Sequence, residues 1–324
     1  MNKNITGDKM FAHIDRIFGE RKPITADIFL NNYCNNKCPY CTYRRWEFDN
    51  GATYMTYENF VKYAEKLISL GVLGFILTGG GEPTISKDFD KITKWLEENK
   101  LEYGINTNFN EIKYIKPKYL KVSLDGWDEN SYKKSRGVEK YNKVRENIIE
   151  YAEWKKENSS NTSLGIQLLA KSVDEVEKFY EANKDLPVDY ISIRPMESTQ
   201  SNYYKSITSN SDIKIQPNEI IKTIERIASL DKRVVVNYKW NFLNQSFDSC
   251  IGQWSQIALN ELGEVMYCCH KPYEIVGHIL DDDILEKKKK FKTNIQMCDV
   301  PCRLTGPNIE LKKMLAPKKD VNFI

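Results

Sequence analysis

The chain has 324 residues, of which 41% are hydrophobic, 12% aromatic and 29% charged. These fractions are typical of a folded globular protein and exclude a fibrous or wholly disordered chain. The 48 Lys and Arg residues outnumber the 45 Asp and Glu residues by only three, which argues against a nucleic-acid partner bound through a basic surface. The length predicts two domains, or one large α/β domain with an appendage.

Short β-branched segments alternate with amphipathic helical segments from Thr25 to Pro195. The pattern predicts six strands, over residues 25–30, 74–78, 102–106, 120–124, 163–170 and 189–194. A helix is predicted over residues 56–70 and another begins after the capping sequence at Ser172. Repeated βα units with right-handed crossovers predict a parallel sheet, whose ligand sites lie at the carboxyl ends of the strands.

Three cysteines, Cys34, Cys38 and Cys41, follow the first predicted strand with spacings of three and two residues. This spacing brings three thiolates together without a fourth local ligand. Structural zinc takes four protein ligands, whereas an iron–sulfur cluster held by three cysteines keeps one iron open for another ligand. By spacing alone, half of a zinc site remains an alternative.

Polar and glycine-rich sequences follow the next three predicted strands. Gly79-Gly-Gly-Glu82-Pro83 follows the second strand, and Asn106-Thr-Asn108 follows the third. Ser123-Leu-Asp125-Gly126 follows the fourth, with Arg136 beyond it. Structural alternatives exist, because Glu82 could cap the next helix, Asp125 could shape a turn and Arg136 could be a surface cation.

The order of these motifs from about residue 24 to residue 200 resembles the radical S-adenosylmethionine (radical SAM) superfamily. The resemblance implies a partial (β/α)6 barrel of the TIM type. It implies that Cys34, Cys38 and Cys41 hold a 4Fe-4S cluster, whose open iron binds S-adenosylmethionine. By the same resemblance, the remaining contacts to S-adenosylmethionine come from Tyr40, Gly80, Gly81, Glu82, Ser123 and Arg136.

The pattern changes beyond about residue 232, where short strands are predicted over residues 234–240 and 257–267 with a hairpin turn at Gly263. We predict three segments: an extension over residues 1–23, a radical SAM core over 24–231, and a small cysteine-rich α+β domain over 232–324. The lysines at 287–290 are expected on a solvated helix face.

The cysteines beyond residue 232 resemble the auxiliary-cluster domain called SPASM, or its shorter form, the twitch domain. The resemblance implies one auxiliary 4Fe-4S cluster held by Cys250, Cys268, Cys298 and Cys302. Cys269 is then spare, and we expect it to be a small buried hydrophobic residue. A zinc ribbon is the alternative, because four cysteines also satisfy tetrahedral zinc.

The resemblance predicts reductive cleavage of S-adenosylmethionine to a 5′-deoxyadenosyl radical, which abstracts hydrogen from an unactivated carbon. We expect oxidation or epimerisation of a small molecule such as an aminocyclitol or a sugar, with the auxiliary cluster accepting an electron. The short segment before Thr25 favours this over peptide modification, which stays open. Cyclase relatives fit less well, because the distal cysteine spacing and the chain end differ. A zinc-stabilised binding protein is the non-enzymatic alternative.

Substrate contacts are predicted on position alone at Tyr43, Arg44, Arg45, Trp46, Gln167 and Arg194. The resemblance implies an external reductant such as flavodoxin or ferredoxin. The longest apolar stretch, over residues 67–77, is shorter than the roughly 18 residues that a membrane span needs. The N-terminus lacks the apolar core of a secretory signal, and we therefore expect a cytoplasmic protein.

Overall fold

The computed structural model describes residues 3–4, 12–41, 43, 51–196, 217–237, 239–240, 249–295, 298 and 302–316. Arg44, Arg45 and Trp46 lie outside the described residues. All eight cysteines are free of disulfide bonds. Within the described ranges, no helix is long and apolar enough to cross a membrane.

One sheet of eleven strands organises the described chain. Its strands are β1 (Lys3–Asn4), β2 (Thr25–Phe29), β3 (Gly74–Thr78), β4 (Glu102–Thr107), β5 (Tyr119–Ser123), β6 (Ser163–Ala170), β7 (Tyr190–Pro195), β8 (Val234–Asn237), β9 (Gln256–Leu259), β10 (Glu264–Met266) and β11 (Ile275–His278). Their order in the sheet is β1-β8-β7-β6-β5-β4-β3-β2-β9-β10-β11. Pairing is parallel from β1 to β9 in this order, and β9, β10 and β11 pair antiparallel.

Eight α-helices accompany the sheet in the described chain. They are α1 (Tyr57–Ser69), α2 (Phe89–Glu98), α3 (Glu129–Arg136), α4 (Tyr141–Glu157), α5 (Val173–Asn183), α6 (Pro217–Leu230), α7 (Ile284–Lys290) and α8 (Thr305–Leu315). A side-chain cap starts α1 at Thr56 and α5 at Ser172, as the sequence predicts. Between β5 and β6 the chain forms two helices that the sequence pattern did not predict.

The two largest clusters of buried side chains lie between the sheet and its helices. Leu120, Val122, Leu164 and Ile166 pack against α4, α5 and α6, whereas Ala26, Ile28, Phe75 and Leu77 pack against α1 and α2. Alternate residues of each strand therefore face the helices, and those between them face the inside of the curved sheet. The open, mainly parallel sheet confirms the predicted partial barrel.

The predicted strand at residues 234–240 differs in its placement. It is present as Val234–Asn237, but it pairs in parallel with β7 and extends the barrel sheet. Its Val234 side chain packs in the same core as α6, which explains this placement. The predicted hairpin is present, with Gly263 at φ +82° in its turn, and its first strand pairs with β2. The predicted domain boundaries stay a prediction.

Candidate active site

The cysteine loop after β2 packs through its backbone against the glycine segment after β3. The Gly81 N–H donates to the Asn31 carbonyl over 2.9 Å, and the Glu82 N–H donates to the Tyr33 carbonyl over 2.9 Å. A Cβ atom added to Gly81 would lie 1.8 Å from the Tyr33 carbonyl oxygen. Glycine is therefore required here because two backbone segments approach closely.

We expect Gly81→Ala to lower the free energy of unfolding by about 3 kcal/mol, because the added methyl group meets backbone that has no room to move. Thermal or denaturant unfolding measures this loss. Gly19→Ala is the matched control, since a Cβ atom there meets nothing within 4 Å. Equal stability of the two variants would show that the two loops separate more easily than the structure indicates.

Glu82 joins the ends of β3 and β4. Its Oε1 atom accepts hydrogen bonds from the Thr84 N–H, the Thr84 hydroxyl and the Thr107 hydroxyl, at 3.2, 2.7 and 2.6 Å. Its Oε2 atom accepts from the Asn108 N–H at 2.7 Å. Burial raises the pKa of this carboxyl group, and these donors oppose the rise. The cap that the sequence allowed as an alternative is present, and the carboxylate also anchors β4.

We expect Glu82→Gln to lower the free energy of unfolding by about 2 kcal/mol. The reason is that the NH2 group of glutamine must face one of the N–H or O–H groups that now donate to the carboxylate. Unfolding measurements test this, with Glu102→Gln as an exposed control on β4. If Glu82→Gln unfolds like the control but binds S-adenosylmethionine more weakly, the carboxylate serves the ligand and not the fold.

A buried ion pair fixes the opposite side of the cysteine loop. Arg136 at the end of α3 pairs with Asp125, which follows β5. The Tyr40 hydroxyl also contacts the Asp125 carboxylate and donates to its Oδ2 atom over 3.0 Å. Only 8% of Arg136 is exposed, so it is not a surface cation. Arg136 also holds the cysteine loop through its backbone, because its carbonyl accepts a hydrogen bond from the Lys37 N–H over 3.0 Å.

The sulfur atoms of the loop accept hydrogen bonds from several sides. Cys34 Sγ accepts from the Asn36 N–H at 3.4 Å and from Asn108 Nδ2 at 3.8 Å. Cys38 Sγ lies 3.6 Å from Arg136 Nη1. Desolvation raises the pKa of the Cys34 thiol, and the charges of Glu82, Cys38 and Cys41 raise it further.

These surroundings fit an iron–sulfur cluster held by the loop. Hydrogen bonds to ligand sulfur stabilise thiolates and tune such clusters. The Arg136 Nε atom is buried and has no hydrogen-bond partner among the residues that the structure describes, which leaves a donor beside the sulfurs. No three His, Cys, Asp or Glu side chains of the described residues are placed to hold a single metal ion.

A cavity of about 410 Å³ lies beside Tyr40 at the carboxyl ends of β5 and β6. Its walls include Asp125, Trp127, Leu169 and Lys134. This volume lies within the range of small-molecule sites. Of the other predicted residues, Gly80 packs against the Asn31 carbonyl, while Ser123 ends β5 beside Gln167.

The second group of cysteines gathers beside β9 and β10. Burial is the main cause that raises the pKa of the Cys268 thiol, and the charges of Cys269, Cys302 and Cys250 raise it further, in decreasing order. Cys298 acts electrostatically on Tyr267, as do Cys250 and Cys268. Asn308 Nδ2 donates to Cys250 Sγ, and the Leu304 N–H donates to Cys302 Sγ, each over 3.4 Å. Cys250, Cys268 and Cys302 therefore lie close enough to act on one another electrostatically, and Cys298 acts on the same tyrosine as Cys250 and Cys268.

Cys269 packs against Phe29 and Met266 on the inner side of the sheet, as expected for a small buried residue. Its sulfur also accepts a hydrogen bond from Arg303 Nη2 over 3.0 Å. Arg303 pairs with Asp27 of β2, and this pair joins the cysteine-rich segment to the barrel. In the sequence, the only sign of this ion pair was Asp27, the single charged residue of β2.

The prediction that the lysines at 287–290 lie on a solvated helix face is wrong for Lys288, of which only 3% is exposed. Its ammonium donates to the Gln253 carbonyl over 3.0 Å and to the Gln256 carbonyl. Burial lowers the pKa of Lys288 to about 8, although Cys268 and Cys250 raise it. A run of four lysines gave no sign of which one turns inward.

The family model of the radical SAM superfamily matches residues 28–182. A protein of Pyrococcus horikoshii named Probable GTP 3′,8-cyclase is 33% identical over 144 residues, which are 42% of this chain and 44% of that protein. The chain thus matches less than half the length of this relative. A GTP 3′,8-cyclase of Clostridium botulinum is 24% identical over 278 residues, covering 76% of this chain and 82% of that protein.

Solved structures share the fold at low identity. Streptococcus suis SuiB bound to precursor peptide SuiA has a TM-score of 0.61 and 16% identity, covering 89% of this chain and 71% of that one. Native anSMEcpe with bound AdoMet has a TM-score of 0.60 and 16% identity, covering 85% and 83%. These likenesses support the open α/β barrel.

Proposed function

We propose, from the match of the radical SAM superfamily model to residues 28–182, that the chain cleaves S-adenosylmethionine reductively to start hydrogen abstraction from a substrate inside the barrel. One observation carries the proposal: three neighbouring thiols on one loop, whose sulfurs face donors from β4 and α3, lie next to Tyr40 and its 410 Å³ cavity.

The proposed residue roles follow from these contacts. Cys34, Cys38 and Cys41 would hold a 4Fe-4S cluster, while Asn108 and Arg136 would stabilise its thiolates through hydrogen bonds. When bound, a cluster with one open iron supplies the electron that cleaves S-adenosylmethionine to methionine and a 5′-deoxyadenosyl radical. Arg136, held by Asp125, would keep positive charge beside the sulfurs.

For S-adenosylmethionine itself, we propose that the cavity beside Tyr40 receives the adenosyl part. Gly80 and Gly81 leave backbone close to the cysteine loop, where the ligand's amino and carboxylate groups would lie. The four hydrogen bonds that Glu82 already accepts suit a positioning role as well as a contact to the ammonium. Ser123 supports a ribose or carboxylate contact by its position at the end of β5.

We propose an auxiliary 4Fe-4S cluster at Cys250, Cys268, Cys298 and Cys302, serving as an electron acceptor. The shared electrostatics of these thiols supports a common metal site. Zinc at this second site is the alternative, because its ligand requirement is also met by four thiolates. A zinc-stabilised binding protein without activity remains the non-enzymatic form of this alternative.

The net reaction that we propose is oxidation or epimerisation of a small molecule. The names of the curated relatives make cyclisation of a guanosine nucleotide a second candidate, although the sequence features favoured the cyclases less. Peptide modification is a third candidate for the net reaction. A flavodoxin or ferredoxin is the proposed reductant, and the cytoplasmic location stays a prediction.

Anaerobic reconstitution tests the proposal. We expect about eight iron and eight sulfide per chain, with 5′-deoxyadenosine released only when reductant is present. About four iron with one zinc would retain the first site and replace the second by a zinc ribbon. Zinc alone, without any 5′-deoxyadenosine, would overturn the enzymatic proposal.

A further inference from the structure

The first turn of α8, with the residue before it, contacts two cysteines of the second group. The Leu304 N–H donates to Cys302 Sγ, and Asn308 Nδ2 donates to Cys250 Sγ, each over 3.4 Å. Leu304 and Asn308 are one helical turn apart, since the Asn308 N–H donates to the Leu304 carbonyl over 2.8 Å. Two donors from one turn therefore reach two different sulfur atoms.

The two cysteines pack in one cluster of side chains around this turn. Cys302 and Cys250 pack there with Leu304 and Leu311. Asn308 is only 1% exposed, so water cannot supply its hydrogen-bond partners. A buried amide is destabilising unless its oxygen and its NH2 group both find partners in the protein. The contacts of Asn308 are therefore part of how this site is built.

The orientation of the Asn308 amide follows from its contacts. Its Oδ1 atom accepts a hydrogen bond from the Gly252 N–H over 2.7 Å. A backbone N–H can only donate, so the amide oxygen faces Gly252 and the NH2 group faces Cys250. The sulfur of Cys250 is thus the acceptor. A thiolate fills this position more strongly than a thiol, because hydrogen bonds to charged groups are stronger.

The turn that carries Gly252 is held from a second helix. Directly after Cys250, the chain forms a 3₁₀ helix over Gly252–Ser255. Lys288 of α7 donates to the Gln253 carbonyl over 3.0 Å and to the Gln256 carbonyl. The segment after Cys250 is therefore held by α7 on its carbonyls and by α8 on its first N–H, while α8 also contacts the sulfur.

The thiol of Cys250 responds to this contact. Burial raises its pKa, and the hydrogen bond from Asn308 is the largest influence that lowers it. A hydrogen bond that lowers the pKa of a thiol stabilises the thiolate, which is the form that binds metal. The direction of this effect agrees with the geometry of the amide.

We propose that Asn308 is a positioning residue of the second metal site, where its NH2 group stabilises the Cys250 thiolate and so raises the affinity for metal and the reduction potential of a bound cluster. The inference rests on the proposed function, because it takes Cys250 as a metal ligand. Loss of such outer partners typically costs about 10–100-fold in metal affinity, and hydrogen bonds to ligand sulfur help to set cluster potentials. A donor favours the reduced cluster, because that form carries more negative charge.

The test compares two variants of the reconstituted protein. Asn308→Asp keeps an oxygen for the Gly252 N–H but loses the NH2 group that faces the sulfur, whereas Asn308→Leu loses both contacts at similar volume. We expect both variants to release iron from the second site at about one tenth of the EDTA concentration that the wild type needs. If the second site takes zinc, the release of zinc is the readout.

The reduction potential separates an effect on the sulfur from an effect on the turn. A redox titration followed by electron paramagnetic resonance measures it. We expect a lower potential for the second cluster in Asn308→Asp, by about 59 mV for each tenfold loss of preference for the reduced form. Asn142→Asp is the matched control, because it adds the same charge at an exposed position of α4 and should change neither readout.

A measurement on the native asparagine keeps the inference testable if neither variant folds. In Cys38→Ala, which should lack the first cluster, pulsed electron paramagnetic resonance of the reduced second cluster should show a weak nitrogen coupling. This coupling should change when the side-chain nitrogen of asparagine carries a heavy isotope.

Metal release and potential like those of the wild type in Asn308→Asp would overturn the inference, even if Asn308→Leu loses iron, since the contact to the turn alone would then explain the effect. Absence of the isotope-sensitive coupling would overturn it if neither variant folds. The proposed function has separate readouts in the wild type. Absence of 5′-deoxyadenosine release removes the enzymatic proposal alone, and absence of any metal beyond the first site removes the second site together with this inference.

Discussion

Cys38→Ala should abolish 5′-deoxyadenosine release by the reconstituted protein. Cys38 is the middle cysteine of the loop, and its sulfur lies 3.6 Å from Arg136 Nη1. Losing a cluster ligand should cost more than the roughly 10–100-fold that loss of an outer partner costs. Chromatographic measurement of 5′-deoxyadenosine, together with iron analysis, checks this.

Lys37→Ala is the matched control for this loop. Lys37 is exposed, and the contact that holds the loop comes from its backbone N–H to Arg136, which alanine retains. We expect the control to keep its iron and its release of 5′-deoxyadenosine. Undiminished release by Cys38→Ala would refute the assignment of this loop as the site of S-adenosylmethionine cleavage.

The second large effect concerns the cysteines near β10. We expect Cys298→Ala to retain some 5′-deoxyadenosine release but to lose net substrate conversion, with iron falling from about eight to about four per chain. The reason is that the first cluster stays intact while the proposed electron acceptor loses a ligand. Iron analysis and electron paramagnetic resonance of the reduced protein measure the loss.

Cys269→Ala is the control, because its thiol packs against Phe29 and Met266 and contacts Arg303, and it is not a predicted ligand. It should keep about eight iron. Should Cys298→Ala turn over normally, the electron-transfer role of the second site would be wrong. Should Cys269→Ala lose iron instead, Cys269 and Cys298 would exchange roles as ligand and spare thiol.

The Arg303–Asp27 pair shows how the cysteine-rich segment meets the barrel. Arg303 follows Cys302 and reaches Asp27 in β2, whose inner face also carries Phe29 beside Cys269. β9 adds directly to β2 in the same sheet. The cysteine-rich segment is therefore attached to β2, the strand that precedes the first group of cysteines.

The sequence by itself determined the elements whose signals are local. Period-two patterns located β2 to β7 within a residue or two, Ser172 marked the start of α5, and Gly263 marked the hairpin turn. The cysteine loop and the glycine segment were likewise identified from spacing, because both motifs lie on short continuous stretches whose chemistry depends on near neighbours in the chain.

Only the tertiary structure decided which distant side chains meet. It showed that Glu82 binds Thr107 and Asn108 as well as capping its own helix, and that Arg136 reaches Asp125 and Cys38. It placed β8 beside β7 and buried Lys288 among carbonyls. These outcomes depend on strand register and on the desolvation of particular charges, which are set by packing between segments far apart in the chain.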